Sequence, residues 1–486
     1  MQPLRTLAAL EESRLTSRYW NLAGVVLIAT AFEFFDFFII GFISSVVATE
    51  WHLSFGDVGV ILYTSGFGAI IGSFLGGWLG ARYGRRLPFI IGIVATTLFS
   101  GATALAPFGA IWYLALFRFV VGAGLGVMVT TGQTIIVELT PARHRTYLAG
   151  FAGVGIIPLG TLAASALSAT LLPTIGWRGI AAIGAIPCLL CIWAFFAVPE
   201  SPRWLLQQGR FEEARNEVAR LAKRPVDSIL LESPSAQRLA EPTVSSGSRS
   251  TGYGALHRYR RGAFFTWAAW LGAATATYGV TLWGPTIFSQ ALKITPARAA
   301  ELFIYVSMVG FLGRILFSAL PHWIGRRPAG IIMGIGSAAF LFVAALAGGP
   351  TATAASVLVV AIAVGNLFVD GGFANLAPAS TEIYPTHLRS QAMGLAEISN
   401  GVGKIVGPLG LAIIAGTSNV VSPSATESAI TPGLLFLGCF SLLVAVAFYV
   451  FPETRGRSLE SVHLPEGAKA APPGDKSEEM AIPDQP

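Results

Sequence analysis

Glu33 and Asp36 stand at i and i+3 inside the apolar run 32 to 42, FEFFDFFIIGF. In a helix both carboxylates leave nearly the same face. Two neighbouring acids repel, and loss of water favours the protonated form, so the pair has the chemistry of a proton carrier. The plainer reading of Glu33 is a packing or gating role. Lys404 lies midway along another apolar run, with Gly401 and Gly403 making room for it. It could hold a substrate carboxylate as a point charge, or simply pair with Asp370. Arg118 and Arg314 are the remaining basic residues inside apolar stretches. A charge at the centre of a bilayer costs about 2.5 to 3.5 kcal/mol on insertion scales, which makes each a functional candidate facing the interior of a bundle.

Depth along the apolar runs adds uncharged candidates for a binding cavity: Gln133, Tyr278, Trp283, Asn375 and Asn400. These offer hydrogen bonds and an aromatic wall, with helix packing the bland alternative. All six histidines fall outside the apolar runs, so coupling would rest on carboxylates. Cys188, Cys191 and Cys439 lack a second pair or a nearby histidine, and no metal site or other cofactor is expected. GAGLG at 122 to 126 lies inside an apolar run without a preceding strand, which argues against a dinucleotide loop.

The elements that must hold these residues are membrane helices. The chain has 486 residues, 53% hydrophobic and only 12% charged, a composition that needs lipid as its solvent. A hydrocarbon core about 30 Å thick requires roughly 20 apolar residues. Stretches of that length occur at 21 to 48, 58 to 80, 87 to 106, 110 to 137, 147 to 172 and 178 to 198. After a polar gap they recur at 263 to 290, 298 to 320, 329 to 348, 352 to 379, 390 to 416 and 430 to 451.

With the N-terminus inside, Arg178, Lys293 and Arg298 are the basic residues of the outer loops, and every other basic residue outside the spans falls on the inner side. Positive charge is retained in cytoplasmic loops, so both termini are expected in the cytoplasm. The basic balance points to anionic lipid rather than nucleic acid. The expected division is a cytoplasmic segment 1–20, a six-helix bundle 21–198, a cytoplasmic central loop 199–262, a second bundle 263–451 and a cytoplasmic tail 452–486. The central loop opens on an amphipathic pattern and then turns rich in Ser, Pro and Gly.

An internal repeat sets the architecture. Glu138, Pro141 and Arg145 recur with the same spacing as Glu382, Pro385 and Arg389. Gly84, Arg85 and Arg86 recur as Gly325, Arg326 and Arg327, and Pro199-Glu200-Ser201 as Pro452-Glu453-Thr454. Three matches in register mean two pseudo-symmetric six-helix halves in an all-α polytopic membrane protein, of the kind that rock about a central site in alternating access. The glycines of span two at spacing four, Gly68 to Gly84, offer a smooth helix face. It is read as a sliding contact between the halves, with static packing as the alternative.

GGWLGARYGRR (76 to 86), RFVVGAGLG (118 to 126), PESPRWL (199 to 205) and PETRGRSLE (452 to 460) together resemble the signatures of the major facilitator superfamily, over positions 20 to 460. FEFFDFFIIGF and LWGPTIF (282 to 288) are similar to metabolite:proton and aromatic acid:proton symporters. The resemblance implies a proton-coupled transporter of a small organic acid in a bacterial inner membrane, and so transport and not catalysis. It places Arg118 opposite Asp36, so that protonating Asp36 frees the arginine for another anion, where the bland reading is a permanent ion pair. It makes Arg314 a structural or gating residue. Gly84, Arg85, Arg86, Glu138, Arg145, Arg326, Arg327, Glu382 and Arg389 become the gating set. Where the family pattern has an inner-loop acid that latches the halves, this chain has Ala81 and, in the repeat, His322. The rival functions are a sugar or polyol symporter, a proton-driven exporter and a non-transporting receptor of transporter fold. The expected partners are a small-molecule substrate and the bilayer, with a monomeric chain.

Overall fold

The computed structural model describes residues 4–141, 143–144, 156–230, 259–347, 351–384 and 388–455, without the side chains of 352 and 389–391. After β1 (Leu4–Arg5) and α1 (Thr6–Glu11), the first half comprises α2 (Ser17–Glu50), α3 (Phe55–Tyr83), α4 (Arg86–Thr103), α5 (Ile111–Leu139), α6 (Ile156–Ile183) and α7 (Cys188–Ala197). Two short helices, α8 (Pro202–Gln207) and α9 (Phe211–Ala222), and β2 (Ile229–Leu230) follow. The second half comprises α10 (Arg260–Ala291), α11 (Pro296–Ile324), α12 (Arg326–Leu346), α13 (Ala352–Glu382), α14 (Arg389–Ala415) and α15 (Pro423–Val450).

Twelve spans arise because α6 is broken. Gly176 has φ 65, three residues after Pro173, so α6 contains the fifth span and the beginning of the sixth, which resumes as α7 after Pro187. Proline removes a backbone donor, and the glycine takes the conformation that turns the chain. The seventh span, α10, is rich in Thr, Gly and Ala, and its residues from Ala268 to Ser289 are buried within the protein rather than turned to lipid. Helix starts are satisfied locally. Ser54 and Asp57 form a reciprocal capping box on α3, and Thr16, Thr295, Thr351 and Ser422 cap α2, α11, α13 and α15.

Small residues set the helix spacing. A Cβ added at Gly68, Gly72 or Gly76 would strike the backbone of α5 at Phe119, Ala123 or Val127. The glycine face of α3 is therefore packing within one half, which corrects its reading as a sliding contact between halves. The interface uses a neighbouring face of α3, where Gly59 meets Ala412 and Gly66 meets Lys404 and Ile405 of α14.

On the side away from the termini the halves are joined by main chain. Phe55 and Gly56 donate to the carbonyls of Asn419 and Thr417 at 2.9 and 3.0 Å, and Val421 donates to that of Leu53 at 2.9 Å. Gln290 adds a bond to Thr49 at 3.2 Å. On the termini side, β1 pairs in parallel with β2, Arg203 pairs with Glu11 at 2.5 Å, and the Trp204 indole donates to the carbonyl of Ala81 at 2.9 Å. This fastens α1, α8 and α9 to the first half.

Candidate functional site

The charges inside the bundles sort into two ion pairs and one solitary cation. On α2, Asp36 is 3% exposed, and on α5 Arg118 is 1% exposed; Arg118 Nη1 lies 3.2 Å from Asp36 Oδ2. Ser100 donates to the other carboxylate oxygen, and Arg118 Nη2 donates to Thr103 Oγ1 at 3.0 Å. Spans one, three and four thus converge on one carboxylate. Glu33, a turn away, is buried, and its Oε2 has no hydrogen-bond partner among the described residues.

In the second half, Arg314 of α11 donates to both oxygens of Asp370 of α13, at 3.1 Å from Nε and 2.7 Å from Nη2. Asp370 is thereby engaged away from Lys404, which replaces the open alternative of a Lys404–Asp370 bridge. Arg314, read as structural or gating, is a buried member of this pair.

Lys404 of α14 is 8% exposed and has no ion-pair partner among the described residues. Its Nζ lies 5.5 Å from the ring centre of Phe37 on α2 and 5.2 Å from that of Tyr278 on α10. Phe38 stacks on Tyr278 at 5.9 Å, so rings from both halves wall the ammonium. Cation–π attraction is worth about 2 kcal/mol when desolvated, but it leaves the hydrogen-bonding capacity of the ammonium unused. Phe37 directly follows Asp36 in sequence, which ties the wall of this cation to the first carboxylate pair.

The uncharged candidates divide. Asn400 is 8% exposed, one turn from Lys404; its amide donates to Glu397 at 3.3 Å and its Oδ1 has no partner. Trp283 stacks on Phe55 at 5.7 Å and donates to the carbonyl of Pro408 at 3.0 Å, so its polar group is committed to packing. Gln133 is exposed on α5. Asn375 lies in the loop network below, exchanging bonds with the Arg326 side chain at 3.3 Å and its carbonyl at 3.0 Å.

That network appears twice, as the repeat predicts. Arg85 pairs with Glu138 at 3.0 Å and Arg326 with Glu382 at 2.5 Å. Glu200 accepts from the backbone of Arg85 and Arg86 at 2.7 and 3.4 Å, and Glu453 from Arg326 and Arg327, both at 3.1 Å. Each carboxylate sits at a helix start, where unpaired N–H groups and the helix dipole favour an anion. Gly84 and Gly325, with φ 91 and 96, bring the chain onto those carboxylates. The Arg86 and Arg327 guanidinium groups lie over Phe195 and Tyr449. Arg145 and the side chain of Arg389 lie outside the described residues. Glu200, Glu453 and Glu397 were not among the sequence candidates; the repeated Pro-Glu-Ser/Thr motif signals the first two, and the seven-residue spacing from Lys404 signals the third.

Twelve spans in two repeated halves, with buried charges between them, have close parallels. The niacin transporter NiaP of Acinetobacter baylyi is 27% identical over 456 residues, covering 92% of this chain and 97% of that protein. The 4-hydroxybenzoate transporter PcaK of the same organism is 25% identical over 406 residues, 82% of this chain and 84% of that one. A partially occluded inward-open structure of the xylose transporter XylE from E. coli matches with a TM-score of 0.66, at 20% identity, over 91% of this chain and 100% of that one, and shows the shared fold. The Major Facilitator Superfamily model matches residues 26–408; the repeated loops, the broken sixth span and the buried charges are thus those of a multi-pass membrane transporter, and the chain belongs to the Major Facilitator Superfamily.

Proposed function

We propose that this transporter carries a small organic acid together with protons by alternating access. The observation that carries the proposal is Lys404: an ammonium buried between the halves, walled by Phe37 and Tyr278 and without an acidic partner among the described residues. A cation so placed is best compensated by an anionic ligand. The aromatic wall suits an aromatic or otherwise planar acid better than a sugar, whose hydroxyls need many polar partners.

Protons are the proposed coupling ion. Asp36 takes up the proton, with Glu33 a turn away as a second acceptor, and protonation releases Arg118 from its ion pair. Because Phe37 is joined to Asp36, movement of α2 on protonation reshapes the wall around Lys404. Each proton moving inward gains about 2.3 kcal/mol per 100 mV of membrane potential, enough to concentrate an acid. The concentration of basic residues on the termini side supports a cytoplasmic position for both ends and residence in a bacterial inner membrane.

Uptake into proteoliposomes tests this reading, with radiolabelled aliphatic acids, aromatic acids and sugars offered with and without an inward proton gradient, to wild type and Asp36→Asn. Gradient-dependent acid uptake that vanishes in the variant is expected. Uptake indifferent to the gradient, or full activity in the variant, would sink the coupling mechanism.

A further inference from the structure

Resting on the acid-transport reading, we infer that Glu397 and Asn400 form a second subsite, which binds a hydrogen-bond donor at the end of the substrate opposite its carboxylate. Glu397, Asn400 and Lys404 are related by three, four and seven residues along α14, so they share one face. Seven residues advance about 10 Å along a helix, a separation that a single aromatic ring substituted at both ends bridges once the side chains reach inward. The neighbouring faces of α14 are occupied: Gly403 packs on Ala274 of α10, and Gly401 on Ile70 of α3. The face between them carries the three polar residues.

Glu397 is exposed at the far end of that face. It lies beyond ion-pair distance of Lys404, so the two ends of the face carry opposite charges with space between. Asn400 makes the region a site. It is 8% exposed, it spends its amide on Glu397, and it leaves Oδ1 without a partner. A buried carbonyl oxygen without a donor costs about 1 to 3 kcal/mol. The Glu397 carboxylate also accepts only. The two together present acceptors, which a phenol O–H, an amine or a protonated ring nitrogen satisfies. Lys404 holds the carboxylate, and the rings of Phe37 and Tyr278 lie along the ligand between these ends.

The substrate class that follows is a monocyclic aromatic acid carrying a donor across the ring from its carboxylate. An acid without that donor leaves the buried Asn400 oxygen unpaired on binding, and sites built to hydrogen-bond a group discriminate strongly against analogues lacking it.

The test is transport by the full chain in proteoliposomes, with 4-hydroxybenzoate, its methyl ether and benzoate as probes. Wild type is expected to prefer 4-hydroxybenzoate to the other two by roughly tenfold or more in kcat/KM. Glu397→Leu and, separately, Asn400→Leu are expected to bring that ratio towards one. Equal handling of the three probes by wild type would overturn the subsite while leaving acid transport standing, as would an undiminished preference in both variants. Failure of wild type to take up any of the three acids would overturn the acid-transport reading and this inference with it. Should the leucine variants not fold, Glu397→Gln keeps the side-chain shape and supplies the same ratio, and the wild-type comparison is decisive against the proposal by itself.

Discussion

Arg314 grips Asp370 with two hydrogen bonds, at 2.7 and 3.1 Å, inside the second half. The pair joins α11 to α13 and removes the buried acid Asp370 from the reach of Lys404.

Breaking that pair from one side leaves a charge in a dry interior, at a cost of about 3 to 5 kcal/mol. Asp370→Leu and Arg314→Met are each expected to lower the melting temperature in detergent sharply, and the double variant to recover much of the loss. Single variants as stable as wild type would mean that water reaches the pair.

Lys404→Gln is expected to raise the KM for a transported acid by roughly 10- to 100-fold, the worth of a hydrogen bond to a charged group at about 1.5 to 3 kcal/mol. Melting temperature should fall little, because Lys404 has no acidic partner to strand. A stable variant with unchanged KM would place the substrate elsewhere.

Neutralising the proton acceptor separates two activities. Asp36→Asn is expected to lose gradient-driven accumulation yet keep exchange of internal for external substrate, since exchange requires no proton release. Glu33→Gln should accumulate substrate with a shifted pH dependence if the second acid tunes the first. Accumulation by Asp36→Asn equal to wild type would rule out Asp36 as the proton acceptor.

At the helix starts, Gly84→Ala and Gly325→Ala are expected to destabilise by about 1 to 3 kcal/mol each, because their backbone conformation is nearly restricted to glycine. A Cβ at either position would also meet the capping carboxylate of Glu200 or Glu453. Thermal melting of the two variants checks this, and neutral behaviour would show that the loops relax without loss.

Much of this arrangement is legible in the chain. Spans follow from apolar length, the two halves from repeated Gly-Arg-Arg, Glu-x-x-Pro and Pro-Glu motifs, and the Asp36–Arg118 pair from the family resemblance joined to the cost of isolated charge in lipid. Partners between helices are another matter. Periodicity places Gly68, Gly72 and Gly76 on one face of α3, but it does not say that α5 lies there. Asp370 is as compatible with Lys404 as with Arg314 until the helices are packed. Glu200 and Glu453 stand in recognised motifs, yet their bonds to the starts of α4 and α12 cross more than a hundred residues of chain. Asn375 is at the depth of a cavity residue and turns to a loop arginine instead.

The seam formed by Leu53, Phe55 and Gly56 with Thr417, Asn419 and Val421 is made of peptide groups. Substitution of a side chain leaves such bonds available, provided the loop conformation survives. Closure on that side can therefore persist while the residues around Lys404 change, which lets descendants of one ancestral transporter acquire new cargo without having to reinvent the door.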